Sequence, residues 1–188
     1  MADHVLHPTA RRKSPVEDVL HAAENLLSVR ITLHDLAGVF VDASGKSLLD
    51  PWRGSHRRYE TCALDYCKRC LRHCFQVVNR RAAKAGGAFT HRCWKGFVEL
   101  VVPLRREDVH VATLFAGQWR PRRMRLSPDI GAQTVERIRR LAPTEGKRLV
   151  QLGAVLETVG AGLLARADEL RGVNRPALSR AEAIRRFL

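Results

Sequence analysis

The sequence predicts an α+β domain: an antiparallel sheet of about five strands with flanking helices and a C-terminal helical extension. Three observations predict it. Apolar residues alternate with polar ones in hairpin-like pairs, apolar residues recur at helical spacing on either side of those pairs, and no crossover suited to a parallel sheet separates neighbouring strands. With 188 residues, 45% of them hydrophobic, the chain can build one sizeable core, since compact domains commonly hold about 100 to 150 residues. The absence of a Gly-rich phosphate loop disfavours a doubly wound nucleotide-binding fold.

Taken in order, residues 1–13 are polar and read as a disordered N-terminus. Ser14-Pro15-Val16-Glu17 then combines a capping serine, a proline at the first helical position and a glutamate three residues after the cap. Val16, Val19, Leu20, Ala23, Leu26 and Leu27 follow on one face, an amphipathic helix of about 14 residues. Ile31 and Leu33, then Val39 and Val41, alternate with polar neighbours around Asp35-Leu36-Ala37-Gly38, so they read as two strands of a hairpin. Residues 67–85 lack proline and glycine and read as a helix ending at Gly86-Gly87. Residues 88–93 form a further strand, and the runs 97–104 and 109–117 flank the polar turn Arg105-Arg106-Glu107-Asp108 as a second hairpin.

After Pro121 the pattern is helical, one helix starting at Ser127-Pro128-Asp129 and another at Pro143-Thr144-Glu145. Leu149, Leu152, Leu156, Val159, Leu163 and Leu170 follow steps of three and four close to a coiled-coil seam, which could pair two subunits as a homodimer. Gly153, Gly160 and Gly162 favour packing on the chain's own sheet instead. Pro176-Ala177-Leu178-Ser179 opens a short basic helix.

The formal charge of +14 and a pI near 10.7 point to an anionic partner, although the arginines are scattered rather than gathered in one arm. No stretch approaches the roughly 20 apolar residues of a membrane span, and no apolar run follows the basic start, so the expectation is a cytoplasmic chain with no membrane contact. The five cysteines are odd in number, and four lie between Cys62 and Cys74, where disulfides would close only very small loops.

Those cysteines, with Cys93 and with His56, His73 and His91, are the densest chemical feature. Cys67 and Cys70 can reach one metal, and Cys74 lies one helical turn past Cys70. Zinc or an iron–sulfur cluster on Cys67, Cys70, Cys74 and Cys93 is therefore one reading, although the usual second close pair is missing. Burial as small hydrophobes is the other. Enzymatic activity is not expected: there is no serine elbow, paired-carboxylate signature or zinc-protease helix, and adjacent residues such as His73 and Cys74 point in different directions.

The most specific segment runs Cys93-Trp94-Lys95-Gly96-Phe97-Val98-Glu99-Leu100-Val101-Val102-Pro103-Leu104 and ends, after the hairpin, at Gly117-Gln118. Here the chain resembles the PocR sensory domain family, whose pattern Cys93, Gly96, Glu99, Pro103, Gly117 and Gln118 match, with His56, Cys62 and Cys74 fitting upstream positions. It departs from the family where Trp94-Lys95-Gly96 replaces the usual His-Ala-Gly, and Cys67 and Cys70 offer another alignment of the later cysteine. The resemblance covers residues 14–165 and is sharp over 93–118.

The resemblance implies a PAS-like fold enclosing a cavity for a small organic effector, placed before an AraC-type DNA-binding domain of a bacterial transcription regulator. His56, Cys62, Cys93, Trp94, Glu99 and Gln118 are then the ligand-binding candidates, with no cofactor expected. The run from Ser179 to Leu188 resembles the first helix of such a domain, giving a sensory domain over 14–172 and a linker with the start of a truncated DNA-binding domain over 173–188. DNA would then be reached only through that downstream domain.

Overall fold

Helix α1 spans Pro15–Leu27 in the computed structural model, which describes residues 14–172. The side chain of Ser14 accepts the Glu17 amide at 3.2 Å, as the capping pattern requires, and Ser28 closes the helix in a left-handed conformation. Val16, Leu20 and Ala23 enter the core, whereas Glu17 and Glu24, on the same buried side, meet a charge the sequence did not advertise. That charge is Arg53, 1% exposed. Its Nε donates to Glu17 at 3.0 Å, and its Nη1 donates to Glu24 at 3.0 Å and to the Ile31 carbonyl at 2.9 Å. Glu24 in turn accepts the Ile31 amide at 2.8 Å, so one guanidinium ties α1 to the start of strand β1 (Ile31–Asp35). Burial pushes the Glu17 carboxyl up, but the Arg53 fork and the Asp50 amide outweigh it and hold the group below its usual value.

The sheet has four strands, not about five, in the order β1-β4-β3-β2, all antiparallel; β2 is Phe89–Arg92, β3 is Val98–Arg106 and β4 is Val109–Trp119. The strand expected at Val39 and Val41 does not form. Asp35 Oδ1 and Oδ2 accept the amides of Val39 and Phe40 at 2.8 and 3.0 Å, which takes those donors away from a ladder. Val41 makes a single bridge to Ser47, and β1 pairs instead with β4, Leu33 opposite Leu114.

The segment expected as one helix over 67–85 is α3 (Lys68–Leu71), a π-helical stretch at Arg72–Val78 and α4 (Asn79–Lys84), preceded by a 3₁₀ turn at His56–Arg58 and α2 (Glu60–Ala63). The helix expected to open at Ser127 starts later, as α5 (Ala132–Arg140) with Gly131 at its cap: the Ser127 hydroxyl accepts the Asp129 amide in a local turn instead. Helix α6 (Gly146–Arg171) is long and apolar enough to cross a membrane, contrary to the sequence expectation. Its leucine stripe faces protein, however: Leu149, Leu152, Leu156, Leu163 and Leu164 are buried in one cluster with Leu100, Val102, Leu104 and Leu114. Each buried leucine contributes about 2 kcal/mol of transfer free energy. A Cβ on Gly160 would overlap the Leu104 side chain, so glycine lets the helix approach the sheet closely, and the seam packs on the chain's own strands. The expectations for residues 1–13 and 173–188 lie outside the described residues.

Replacing Arg53 with alanine leaves buried Glu17 without its guanidinium and Glu24 with Arg58 alone of its two arginines, and we expect a loss of about 3–5 kcal/mol in urea unfolding. Adding Glu17→Gln and Glu24→Gln to Arg53→Ala should recover part of it; a loss under about 1 kcal/mol in the single variant would remove Arg53 from this role.

Candidate functional site

Alternation along the strands gives the sheet two unlike faces. Ile31, Leu33, Leu100, Val102, Leu104, Ala112, Leu114 and Ala116 point to α6 and α1. Their neighbours point the other way. On β1 these are Thr32 and His34, on β4 Thr113 and Phe115, on β3 Glu99 and Val101, and on β2 Phe89 and His91, with Glu99 directly opposite His91. Such a row would normally face water, yet Thr32, His34, Glu99, Thr113 and His91 are all buried. The cover is the helical run from His56 to Lys84: Val78 and Ala82 of that run pack on Val101 and Phe115, and His56, Tyr59, Cys62, Cys70 and Cys74 are buried as well.

An irregularity in β4 completes the layer. The pairing jumps from Val98–Trp119 to Leu100–Ala116, so two residues of β4 bulge opposite Glu99. Gly117 takes φ +60° there, and a Cβ on it would overlap the Trp119 ring. The extra residue lets Gln118 turn to the polar side while Trp119 stays in the core: Gln118 Nε2 donates to Cys62 Sγ at 3.3 Å, and its Oε1 accepts the Thr61 hydroxyl.

Five of the six sequence candidates thus converge. His56 Nδ1 lies 3.3 Å from Glu99 Oε1, Gln118 bonds Cys62, and Cys62 shares an apolar cluster with Cys93. The sixth, Trp94, packs at the border of that cluster, its ring 4.5 Å from the Arg69 guanidinium and 5.8 Å from Lys95 Nζ. Hydrogen bonding within the layer is incomplete. Glu99 Oε1 and Oε2, His56 Nε2, His34 Nε2, Thr32 Oγ1 and Trp94 Nε1 are buried without a hydrogen-bond partner among the described residues. Each such group typically costs about 1–3 kcal/mol.

The electrostatics follow from burial. Desolvation, then the neighbouring His56, depresses His34 to about 3, and desolvation depresses His91 to about 4 against the opposing pull of Glu99. His91 Nε2 sits 2.7 Å from His73 Nε2, and His73 is lowered too, chiefly by burial. Burial and the Glu99 charge push Cys62 up to about 12 and raise Cys74 and Cys93, so these thiols are protonated and inert. Cys67 differs. It is exposed, and the backbone amides of Cys70 and Arg69 outweigh its slight burial and lower its pKa.

The four cysteines considered for a metal are not gathered: Cys67 and Cys70 Sγ are 4.0 Å apart, but among the described residues the only group of three or more ligand atoms within 4.8 Å of one another is Glu17, His21 and Asp50, where Glu17 is already held by Arg53. Sequence reasoning missed His34, Thr61 and Lys95. Lys95 is fully buried and donates from Nζ to the Thr61 carbonyl at 3.2 Å. His34 was detectable as the polar partner of Leu33 in the alternation, but only the cover shows that its side faces protein.

A protein-family model described as the sensory domain found in PocR matches residues 21–159. No curated protein and no solved structure matches the chain.

His34 and His91 titrate in the unfolded chain near 6.5 but in the fold only near 3 and 4. The unfolded state therefore binds more protons between those values, and stability should fall as pH drops from about 6.5 towards 4. His34→Gln with His91→Gln should flatten that decline in unfolding curves recorded at pH 7, 6, 5 and 4; an unchanged decline would show that these rings are not its source.

Proposed function

The chain belongs to the PocR sensory domain family, and on that premise we propose that it binds a small polar organic effector in the layer between the sheet and the 56–84 cover. A sensory family suggests a role other than catalysis. One observation carries the reading: Glu99, His56, His34, Thr32 and Trp94 hold buried polar atoms with no hydrogen-bond partner among the described residues, all on or beside one face of one sheet. An effector with hydroxyl or amide groups supplies the donors and acceptors those atoms lack and recovers the desolvation free energy. Glu99 and Gln118 orient its polar groups, His56 accepts or donates beside Glu99, and Cys62, Cys93 and Trp94 bound its apolar part. A depression of about 330 Å³, with His34 and Phe75 in its wall, offers a way in at the β1 edge.

In this reading the output runs to an AraC-type DNA-binding domain of a cytoplasmic bacterial regulator, whose first helix the sequence of 179–188 resembles. The cover and α6 lie on opposite faces of the same strands, so a displaced cover is transmitted through β3 and β4 to α6. An effector moves that equilibrium only by its difference in affinity for the two states. A thermal-shift screen of small diols, amides and hydroxy acids should yield a compound that raises Tm in a concentration-dependent way. Glu99→Gln and Gln118→Ala should weaken it about tenfold or more while leaving the ligand-free Tm within a few degrees; unchanged affinity in both variants would remove the layer as its site.

A second reading, a thiol-based redox or metal sensor, is favoured by the exposed Cys67 beside Cys70. Alkylation of native protein should label Cys67 first, with Cys62, Cys74 and Cys93 modified only on unfolding. Elemental analysis of anaerobically purified protein checks the metal branch, and stoichiometric zinc or iron would replace the effector reading with this one.

A further inference from the structure

On the side of the sheet where β4 bulges, a cleft of about 600 Å³ opens between the start of β1, α2, the end of α5 and the first turn of α6. Its wall carries five arginines, Arg30, Arg58, Arg137, Arg140 and Arg148, against a single acidic residue, Glu60. Three of the five are engaged. Arg58 donates to Glu24, Arg137 to the Glu60 carbonyl at 2.7 Å and Arg140 to Glu136 at 3.1 Å. The side chains of Arg30 and Arg148 are exposed and have no hydrogen bond or ion pair among the described residues.

The placement of Arg148 runs against the ordinary electrostatics of a helix. The first turn of α6 holds no acidic residue and carries Lys147 and Arg148, cations at the positive end of a 26-residue dipole, and Glu145 at its cap makes no side-chain capping bond. Like charges gathered in a concave wall repel, and an anion bound among them removes that repulsion. Guanidinium forks match planar or tetrahedral oxyanions through paired N–H donors.

We propose that this cleft is a second ligand site, distinct from the layer around Glu99, that takes a small oxyanion bearing phosphate or carboxylate groups. Its concave form and volume suit a small molecule. The site accounts for part of the +14 charge in a chain whose effector layer uses little of it. It shares Thr61 and Gln118 with the layer's wall but does not depend on what the layer binds.

Calorimetric titration with inorganic pyrophosphate and with citrate, at constant ionic strength set by chloride, tests it. Saturable binding of either is expected, the stronger of the two identifying phosphate or carboxylate as the recognised group. Arg30→Ala with Arg148→Ala should weaken it about tenfold or more, since two charge-assisted contacts are lost. Arg72→Ala with Arg80→Ala, on the cover and away from the cleft, should leave affinity within about twofold, as should Glu99→Gln. Equal loss in the two arginine pairs would reduce the effect to net charge, and loss on Glu99→Gln would move the anion into the layer; either result overturns the proposal. So does the absence of saturable binding, or duplex DNA binding that Arg30→Ala with Arg148→Ala abolishes while neither small anion binds.

Discussion

Two-residue alternation along four strands, interrupted in β4 at Gly117 and again at Val111, is the constraint on which the rest of the structure depends. It sends Leu100, Val102, Leu114 and Ala116 to α6 and Glu99, His91, His34 and Thr113 to the other side. A sheet with one apolar and one polar face ordinarily leaves the polar face in water. Here the 56–84 cover closes over it, and that burial sets the unusual properties of the site: depressed histidines, raised thiols and carboxylate oxygens without hydrogen-bond partners among the described residues. The bulge adds the last group, because without the extra residue at 117 Gln118 and Trp119 would exchange faces.

The molecule buries charge in two places, and they contrast. Around Arg53, Glu17 and Glu24 are both met by the guanidinium, the backbone joins in, and the network locks α1 to β1. Around Glu99, the carboxylate has His56 at 3.3 Å and no aligned donor among the described residues. A satisfied network of this kind is architecture, since nothing is gained by adding a ligand to it. The unsatisfied one, on a shared face, is the observation that supports the proposed effector site. The contrast also explains why the Glu17, His21 and Asp50 group, though compact, is a poorer binding site: its buried member is already used.

Positive charge divides in the same way. Arg53 is internal and structural, Arg58 bridges Glu24 and the cleft, and Arg30 and Arg148 stand in the cleft wall with no acceptor among the described residues. A net charge alone says nothing of such a division, because it sums groups that work in unrelated surroundings.

The sequence by itself determined the α+β class, the capped start of α1, the β3–β4 hairpin, the leucine stripe of α6 and the family, because caps, periods and motif spacings are local quantities. It also named five of the residues that converge, since the Cys93 to Gln118 segment carries three of them, Glu99 and Gln118 on adjacent strands and Cys93 just past the end of β2. Only the tertiary structure decided that Val39 and Phe40 spend their amides on Asp35, that Gly117 turns Gln118 inward, and that Arg53, His34 and Lys95 are buried. The Asp35 turn is a local competitor that an alternating pattern does not reveal, whereas the burial of Arg53 depends on α1 and that of His34 on the cover, and burial by a distant segment leaves no trace in local periodicity. The cysteine cluster shows the same limit: spacing placed Cys70 and Cys74 on one helical face, but only the fold separated the inert buried thiols from the exposed Cys67.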